Sequence, residues 1–191
     1  MLISLPGAFD FFDVSPANPF HAAITTVASN GVTAGCGGGD FCPNAAVTRD
    51  QMAVFLLKSE HGSAFTPPPA TGTVFTDVPQ TAFAADWIEQ LAAEGVTSGC
   101  GFGQYCPRSA MTRAQMAVFL LKTKLGPTYV PPAATGTVFD DVPADSFAAA
   151  WIEDLSARGI SAGCGSGRFC PESTASRAQM AAFLVNTFGL Q

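Results

Sequence analysis

Apolar residues fall at helical spacing in two kinds of segment, and each kind recurs along the chain. In TAFAADWIEQLAAEGVTSG (81–99), Phe83, Trp87 and Leu91 lie four apart with Ile88 beside them, which predicts one apolar stripe on a helix. Gly95 follows and can supply a left-handed C-terminal stop. In TRAQMAVFLLK (112–122), Met116, Phe119 and Leu120 stand at i, i+3 and i+4 and predict a second helix.

The same phrases return at a fixed interval. Asp13, Asp77 and Asp141 are 64 positions apart (141 − 77 = 77 − 13 = 64). The interval also relates Cys36 to Cys100 and Cys164, Cys42 to Cys106 and Cys170, and Arg49 to Arg113 and Arg177. Three tandem copies are therefore expected, divided as residues 1–62, 63–126 and 127–191. The proline-rich stretches TPPPATGTVF (66–75) and VPPAATGTVF (130–139) join them and should be extended, semi-rigid spacers. The matching part of the first copy, LISLPGAFDF, differs, as terminal repeats often do. One helix pair has too little area to bury its stripe, whereas three pairs can share a core. The expected fold is all-α: three helix-loop-helix repeats forming one compact pseudo-threefold bundle with extended linkers.

Charge is sparse and net acidic, −6 with a pI near 4.6, which argues against a nucleic-acid surface. No stretch approaches the length of a membrane-spanning helix. The opening MLISLPGAFDFFDV lacks a basic start and a small-residue cleavage site, so it does not read as a signal peptide. Six cysteines, even in number and regular in spacing, favour an oxidising, extracytoplasmic setting.

Each cysteine pair sits between the two helices in the pattern G-C-G-x-G-x-[FY]-C-P. The economical pairing is one bridge per copy: Cys36–Cys42, Cys100–Cys106 and Cys164–Cys170. Glycines around the first cysteine permit the positive φ angles of a tight turn. Each bridge should contribute roughly 2–2.5 kcal/mol through loop closure. Zinc is disfavoured because each copy offers two ligands, too far apart in sequence, and no repeated histidine. A redox role is disfavoured because the pairs are not C-x-x-C.

Thr48, Thr112 and Ser176 are followed three residues later by Gln51, Gln115 and Gln179, the capping-box pattern of a helix N-terminus. The cap leaves one residue unexplained. Arg49, Arg113 and Arg177 stand in the first turn, where the helix dipole disfavours cations. Two partners remain open: the repeated aspartates Asp13, Asp77 and Asp141 in a structural salt bridge, or an acidic ligand held by the guanidinium fork.

Together these residues resemble the S-layer homology (SLH) family. The chain presents FFDV, FTDV and FDDV, then NGVTAG, EGVTSG and RGISAG, then FCP, YCP and FCP, and finally TRDQ, TRAQ and SRAQ. The resemblance covers nearly the whole chain, with glutamine replacing the glutamate of the family's T-R-A-E. It implies a helical spindle at a bacterial cell surface, extracellular, that holds a secreted or S-layer-type protein on an anionic, often pyruvylated, cell-wall polysaccharide. The implied ligand-binding residues are Arg49, Arg113 and Arg177 with Thr48, Thr112 and Ser176, in grooves between modules. The cysteine bridge resembles a disulfide-stapled branch of the family. At the position where the family usually has tryptophan, this chain has Phe83 and Phe147, and Pro19 followed by Phe20 in the first copy.

Trp87 and Trp151 could stack on sugars, but they lie on the apolar stripe and are read as core; the first copy has Ala23 there. Two functions compete: a glycan-binding anchor, and a self-assembling protein whose neighbouring copies form a filament or surface lattice. Catalysis is not expected, because His21 and His61 are unrepeated and lack evident partners, and no cofactor loop is present.

Overall fold

The computed structural model of the chain describes residues 10–191. Six helices follow in order: α1 (His21–Ser29), α2 (Arg49–His61), α3 (Ala85–Ala93), α4 (Arg113–Leu125), α5 (Ala149–Ala157) and α6 (Arg177–Phe188). Each copy supplies one short and one longer helix, as the apolar periods indicated. The leading segment of the first copy falls largely outside the described residues.

The end of α3 follows from Gly95. At φ +72° it lets its own N–H reach the Ala92 carbonyl (2.9 Å) and the Val96 N–H reach Leu91 (3.1 Å), the Schellman arrangement. The start of α3 corrects the expected stripe. Ile88 and Leu91 are wholly buried, but Phe83 lies outside the helix and is 66% exposed. Ala84, in the left-handed region at φ 57°, breaks the helical path and turns Phe83 outward. The same break occurs at Ala148, leaving Phe147 exposed.

Capping boxes form at α4 and α6, where the Thr112 and Ser176 hydroxyls accept from the N–H groups of Gln115 and Gln179 at 3.2 Å. The expected box at Thr48 is absent. The first copy has Asp50 in place of Ala114 and Ala178, and this carboxylate accepts both the Gln51 N–H and the Thr48 hydroxyl. Asp50 has taken over the cap, and the Gln51 Oε1 is left buried without a partner among the described residues.

The three longer helices α2, α4 and α6 pack on one another at the centre. Each shorter helix lies against the longer helix of the preceding copy: α3 on α2, α5 on α4, and α1 on α6. The last of these contacts closes a ring. The Asn30 amide also donates to the Gln191 carbonyl at 2.8 Å, joining first copy to last. At the centre of the ring the backbone repeats the circuit. The Val47 N–H donates to Ala175 (3.0 Å), Ala175 to Met111 (3.0 Å), and Met111 to Val47 (2.8 Å). All three side chains are fully buried there.

The linkers run back along the shorter helices of the following copies. Thr71 and Gly72 donate backbone N–H groups to Glu89 (2.7 Å each), and Thr135 and Gly136 do so to Glu153 (2.8 and 2.7 Å). Desolvation pushes these carboxyls up, but the combined hydrogen bonds outweigh it and hold both below the usual glutamate value.

Candidate ligand grooves between the repeats

The cysteine loops carry the three bridges expected: Cys36–Cys42, Cys100–Cys106 and Cys164–Cys170. Glycine is required just before the first cysteine. Gly99 sits at φ +96°, and a Cβ there would run into the Gln104 carbonyl oxygen and the Phe75 ring. Gly35 and Gly163 occupy the same position in their copies. The second cysteine is itself left-handed, with φ of 59°, 60° and 58° at Cys42, Cys106 and Cys170.

The repeated aspartates hold that unusual backbone. Asp13 accepts the N–H groups of Phe41 (2.8 Å) and Cys42 (2.7 Å); Asp77 accepts those of Tyr105 and Cys106 (2.8 Å each). Asp141 does the same for Phe169 (2.7 Å) and Cys170 (2.8 Å). Burial pushes the Asp141 carboxyl up, yet these bonds and nearby Arg168 hold it below the usual value.

The repeated arginines grip the other side of the same peptide. Arg49 Nε donates to the Tyr105 carbonyl, Arg113 Nε to Phe169 and Arg177 Nε to Phe41, each at 2.7 Å. The next atom in the chain is the cysteine nitrogen that binds the aspartate. Of the two partners left open, the direct salt bridge does not form: among the described residues no ion pair joins a repeated arginine to a repeated aspartate. The two charges meet through one peptide group, its oxygen facing the cation and its N–H facing the anion. Each link crosses between copies, because arginine and loop belong to different repeats.

All three arginines are only 4–5% exposed. Arg113 lies between the rings of Phe169 (4.6 Å) and Phe183 (5.3 Å), Arg49 between Tyr105 (4.7 Å) and Phe119 (5.3 Å), and Arg177 between Phe41 (4.8 Å) and Phe55 (5.4 Å). Desolvation lowers each guanidinium pKa, opposed by the field of the aspartate across the peptide (and of Tyr105 for Arg49). Arginine's basicity leaves the group charged. One N–H-bearing nitrogen, Nη2, is buried without a partner in Arg49 and Arg113, whereas in Arg177 it makes a long 3.4 Å contact to Thr33 Oγ1.

In the first and third copies the chain following the short helix and the start of the next long helix enclose a groove above a guanidinium. The groove of the first copy, about 200 Å³, is lined by Thr33, Gly35, Gln51, Lys58, Phe83 and Arg177 among others. That of the third copy, about 160 Å³, is lined by the counterparts Ser161, Gly163, Gln179, Phe20 and Arg113. Each is built from three copies: one gives the loop and long helix, one the arginine and one a phenylalanine, exposed Phe83 in the first groove and part-buried Phe20 in the third.

The S-layer homology domain profile matches residues 10–53, 74–117 and 138–181, more than half of the chain. The chain belongs to the S-layer homology domain family. Each SLH match begins near the aspartate that holds the loop and ends within the long helix whose arginine reaches the next loop. A Thermoanaerobacter kivui protein described as "Cell surface protein" is 32% identical over 124 residues, which cover 64% of this chain and 16% of that protein. The match thus spans about one sixth of that protein's length.

The structure brings Arg113 and Arg177 to groove floors, while Thr112 and Ser176 cap helices and Thr48 bonds Asp50. Asp13, Asp77 and Asp141 engage both carboxylate oxygens in the loops. Two groove residues escaped the sequence reading. Lys58 was hidden in the helical run TRDQMAVFLLK, although a lysine recurs at Lys122. Gln51 was assigned to a cap. The extra aspartate beside it was the available signal. Trp87 and Trp151 pack half-buried, edge-on to Phe65 and Tyr129 at 6.0 Å.

Proposed function

We propose that the chain is a non-catalytic SLH anchor at the bacterial cell surface, residues 1–62, 63–126 and 127–191 acting as one unit. It attaches a secreted or S-layer-type protein to an anionic cell-wall polysaccharide through the grooves between repeats. The observation that carries this reading is the groove itself: a cleft with an arginine floor, a polar amide wall and a phenylalanine at its rim. Guanidinium and amide donors suit carboxylate and hydroxyl groups, and an apolar ring suits the C–H face of a sugar. Arg49, Arg113 and Arg177 supply the positive floor, while Thr48, Thr112, Ser176 and the three aspartates fix its shape. The cell-surface description of the relative and the extracytoplasmic character of the bridges support the location.

The test uses the oxidised chain and purified bacterial sacculi, before and after acid extraction of their anionic polysaccharide. Sedimentation with intact but not extracted sacculi, and competition by the free polysaccharide, is the expected result. Equal sedimentation with extracted sacculi would overturn the reading.

A second reading, self-assembly into a filament or lattice, draws on Phe102 and Phe12. Phe102 stands fully exposed at the tip of its cysteine loop with a left-handed backbone (φ 50°), and Phe12 is 88% exposed. Since the three repeats close on themselves, copies of the chain would meet through such rings. Electron microscopy of glycan-free protein at rising concentration separates the readings: ordered polymers support assembly, and discrete particles throughout oppose it.

A further inference from the structure

The long helices start together around Val47, Met111 and Ala175, so the three cysteine loops share one end of the molecule. The chain leaving each loop lies across the start of a long helix. The Asp50 N–H donates to the Pro107 carbonyl (2.9 Å), Ala114 to Pro171 (3.0 Å) and Ala178 to Pro43 (3.0 Å). Asn44, Arg108 and Glu172 follow these prolines and stand exposed on the end face.

The backbone of this face is threefold, but its side chains are not. From the first cysteine to the residue after the proline, the first loop (36–44) carries one charge, Asp40, and the second (100–108) carries one, Arg108. The third (164–172) carries one of each sign, Arg168 and Glu172, on the walls of a depression of about 290 Å³. Neither Asp40 nor Arg108 enters an ion pair among the described residues. The exposed rings are divided in the same way. Phe102 is the tip of the second loop, where the other copies have Gly38 and Ser166. Phe12 lies over Gly39 of the first loop, where the second has Thr76 beside Gly103 and the third Asp140 beside Gly167. The first and second copies thus present one ring each, and the third presents charge instead.

Stacking two such faces loop upon loop requires a twofold axis perpendicular to the pseudo-threefold axis. That axis exchanges two copies and sets the remaining one against itself. Three choices exist, and charge distinguishes them. With the first loop on itself, Asp40 meets Asp40; with the second on itself, Arg108 meets Arg108. With the third on itself, Arg168 of each chain meets Glu172 and Asp140 of the other. The same choice sets Asp40 against Arg108 and Phe12 against Phe102, each pairing made twice. Opposite charges and apolar rings are then matched at all three loops.

We infer that this end face is the contact between two copies of the chain, forming a closed twofold dimer in which the first loop of each sits on the partner's second loop. It rests on the assembly reading above only in that copies meet through these rings. An isologous contact closes at two and does not propagate.

Sedimentation equilibrium of the oxidised chain, from about 10 μM to about 1 mM and at low and high salt, tests the pairing. A small contact of this kind should give a monomer–dimer equilibrium with a Kd on the order of 100 μM, weaker at high salt. Phe102→Ser and Phe12→Thr install the residues that another copy holds at the same positions, so the loops keep their shape. Each should weaken the dimer at least about tenfold, because every ring contact occurs twice. Arg108→Asp and Asp40→Arg should each weaken it about tenfold, and the double variant should recover to within about threefold of the parent chain. An unchanged Tm reports that each variant is folded. A dimer that stops at two and follows this pattern upholds the inference and sets aside the open filament. A monomer at every concentration overturns the pair and leaves the anchor reading untouched. Association that grows beyond two supports the assembly reading and overturns the closed pair. A dimer indifferent to Phe102→Ser, or one that the double charge variant fails to restore, overturns it as well.

Discussion

Replacing Arg113 by methionine removes one of the three links that join the copies through a peptide group. The loss has identifiable parts. A charge-assisted hydrogen bond to the Phe169 carbonyl at 2.7 Å is worth about 1.5–3 kcal/mol. Contacts with the Phe169 and Phe183 rings at 4.6 and 5.3 Å add about 0.5–2 kcal/mol each. In the other direction, the variant no longer has to desolvate a cation, and methionine refills much of the aliphatic space. The net destabilisation should be about 2–4 kcal/mol, a fall in Tm of about 4–16 °C for a chain of this size. Denaturant unfolding gives the energy, and a double-mutant cycle tests its origin. Arg113 and Asp141 hold the two faces of the Phe169–Cys170 peptide, so Arg113→Met and Asp141→Asn should couple by at least about 0.5 kcal/mol. Arg113 and Asp77 share no partner, so their substitutions should add within about 0.5 kcal/mol. A single-variant loss below about 1 kcal/mol, or equal coupling in both cycles, would refute the peptide-mediated link.

Three further outcomes follow from the same geometry. Replacing Cys100 and Cys106 by alanine should cost roughly 2 kcal/mol in denaturant unfolding; an unchanged midpoint would mean that Asp77 alone holds the loop. Thr112→Ala should cost about 1 kcal/mol, and Thr48→Ala less than about 0.5 kcal/mol because Asp50 keeps its bond to the Gln51 N–H; equal Tm losses would contradict the two different caps. Asp141, Glu89 and Glu153 have carboxyl pKa values held below normal, so their stabilisation is full above the ordinary carboxylate range and is lost as pH falls through the lowered folded values. Tm should be flat from neutrality to about pH 5 and fall below about pH 4, and a Tm unchanged down to pH 2 would count against these bonds.

The 64-residue interval and the apolar periods made the helix pairs, the cysteine pairing and the all-α fold legible, because each depends on neighbours close in sequence. The period could not show where α3 begins: Phe83 fits the stripe arithmetically, but the left-handed Ala84 removes it from the helix. Nor could spacing reveal that arginine and aspartate act through a peptide. Arg49 and Tyr105 are 56 residues apart, and Arg177 and Phe41 are 136 apart, so the link exists only once the ring closes. The excess of positive charge at a helix start was the visible symptom. The different cap of α2 was written in Asp50, which stands where the other copies have Ala114 and Ala178.

The circuit of Val47, Met111 and Ala175 at the centre of the ring has a consequence for how such a chain can change over generations. In a linear solenoid, a unit can be duplicated or lost and the remaining units still stack. Here every copy serves as lock for one neighbour and key for the other, so deleting a unit strands a helix start and inserting one leaves no gap to receive it. The count is frozen while the individual members remain free to diverge. A lineage built on this ring acquires novelty by letting its three once-identical members take up different duties.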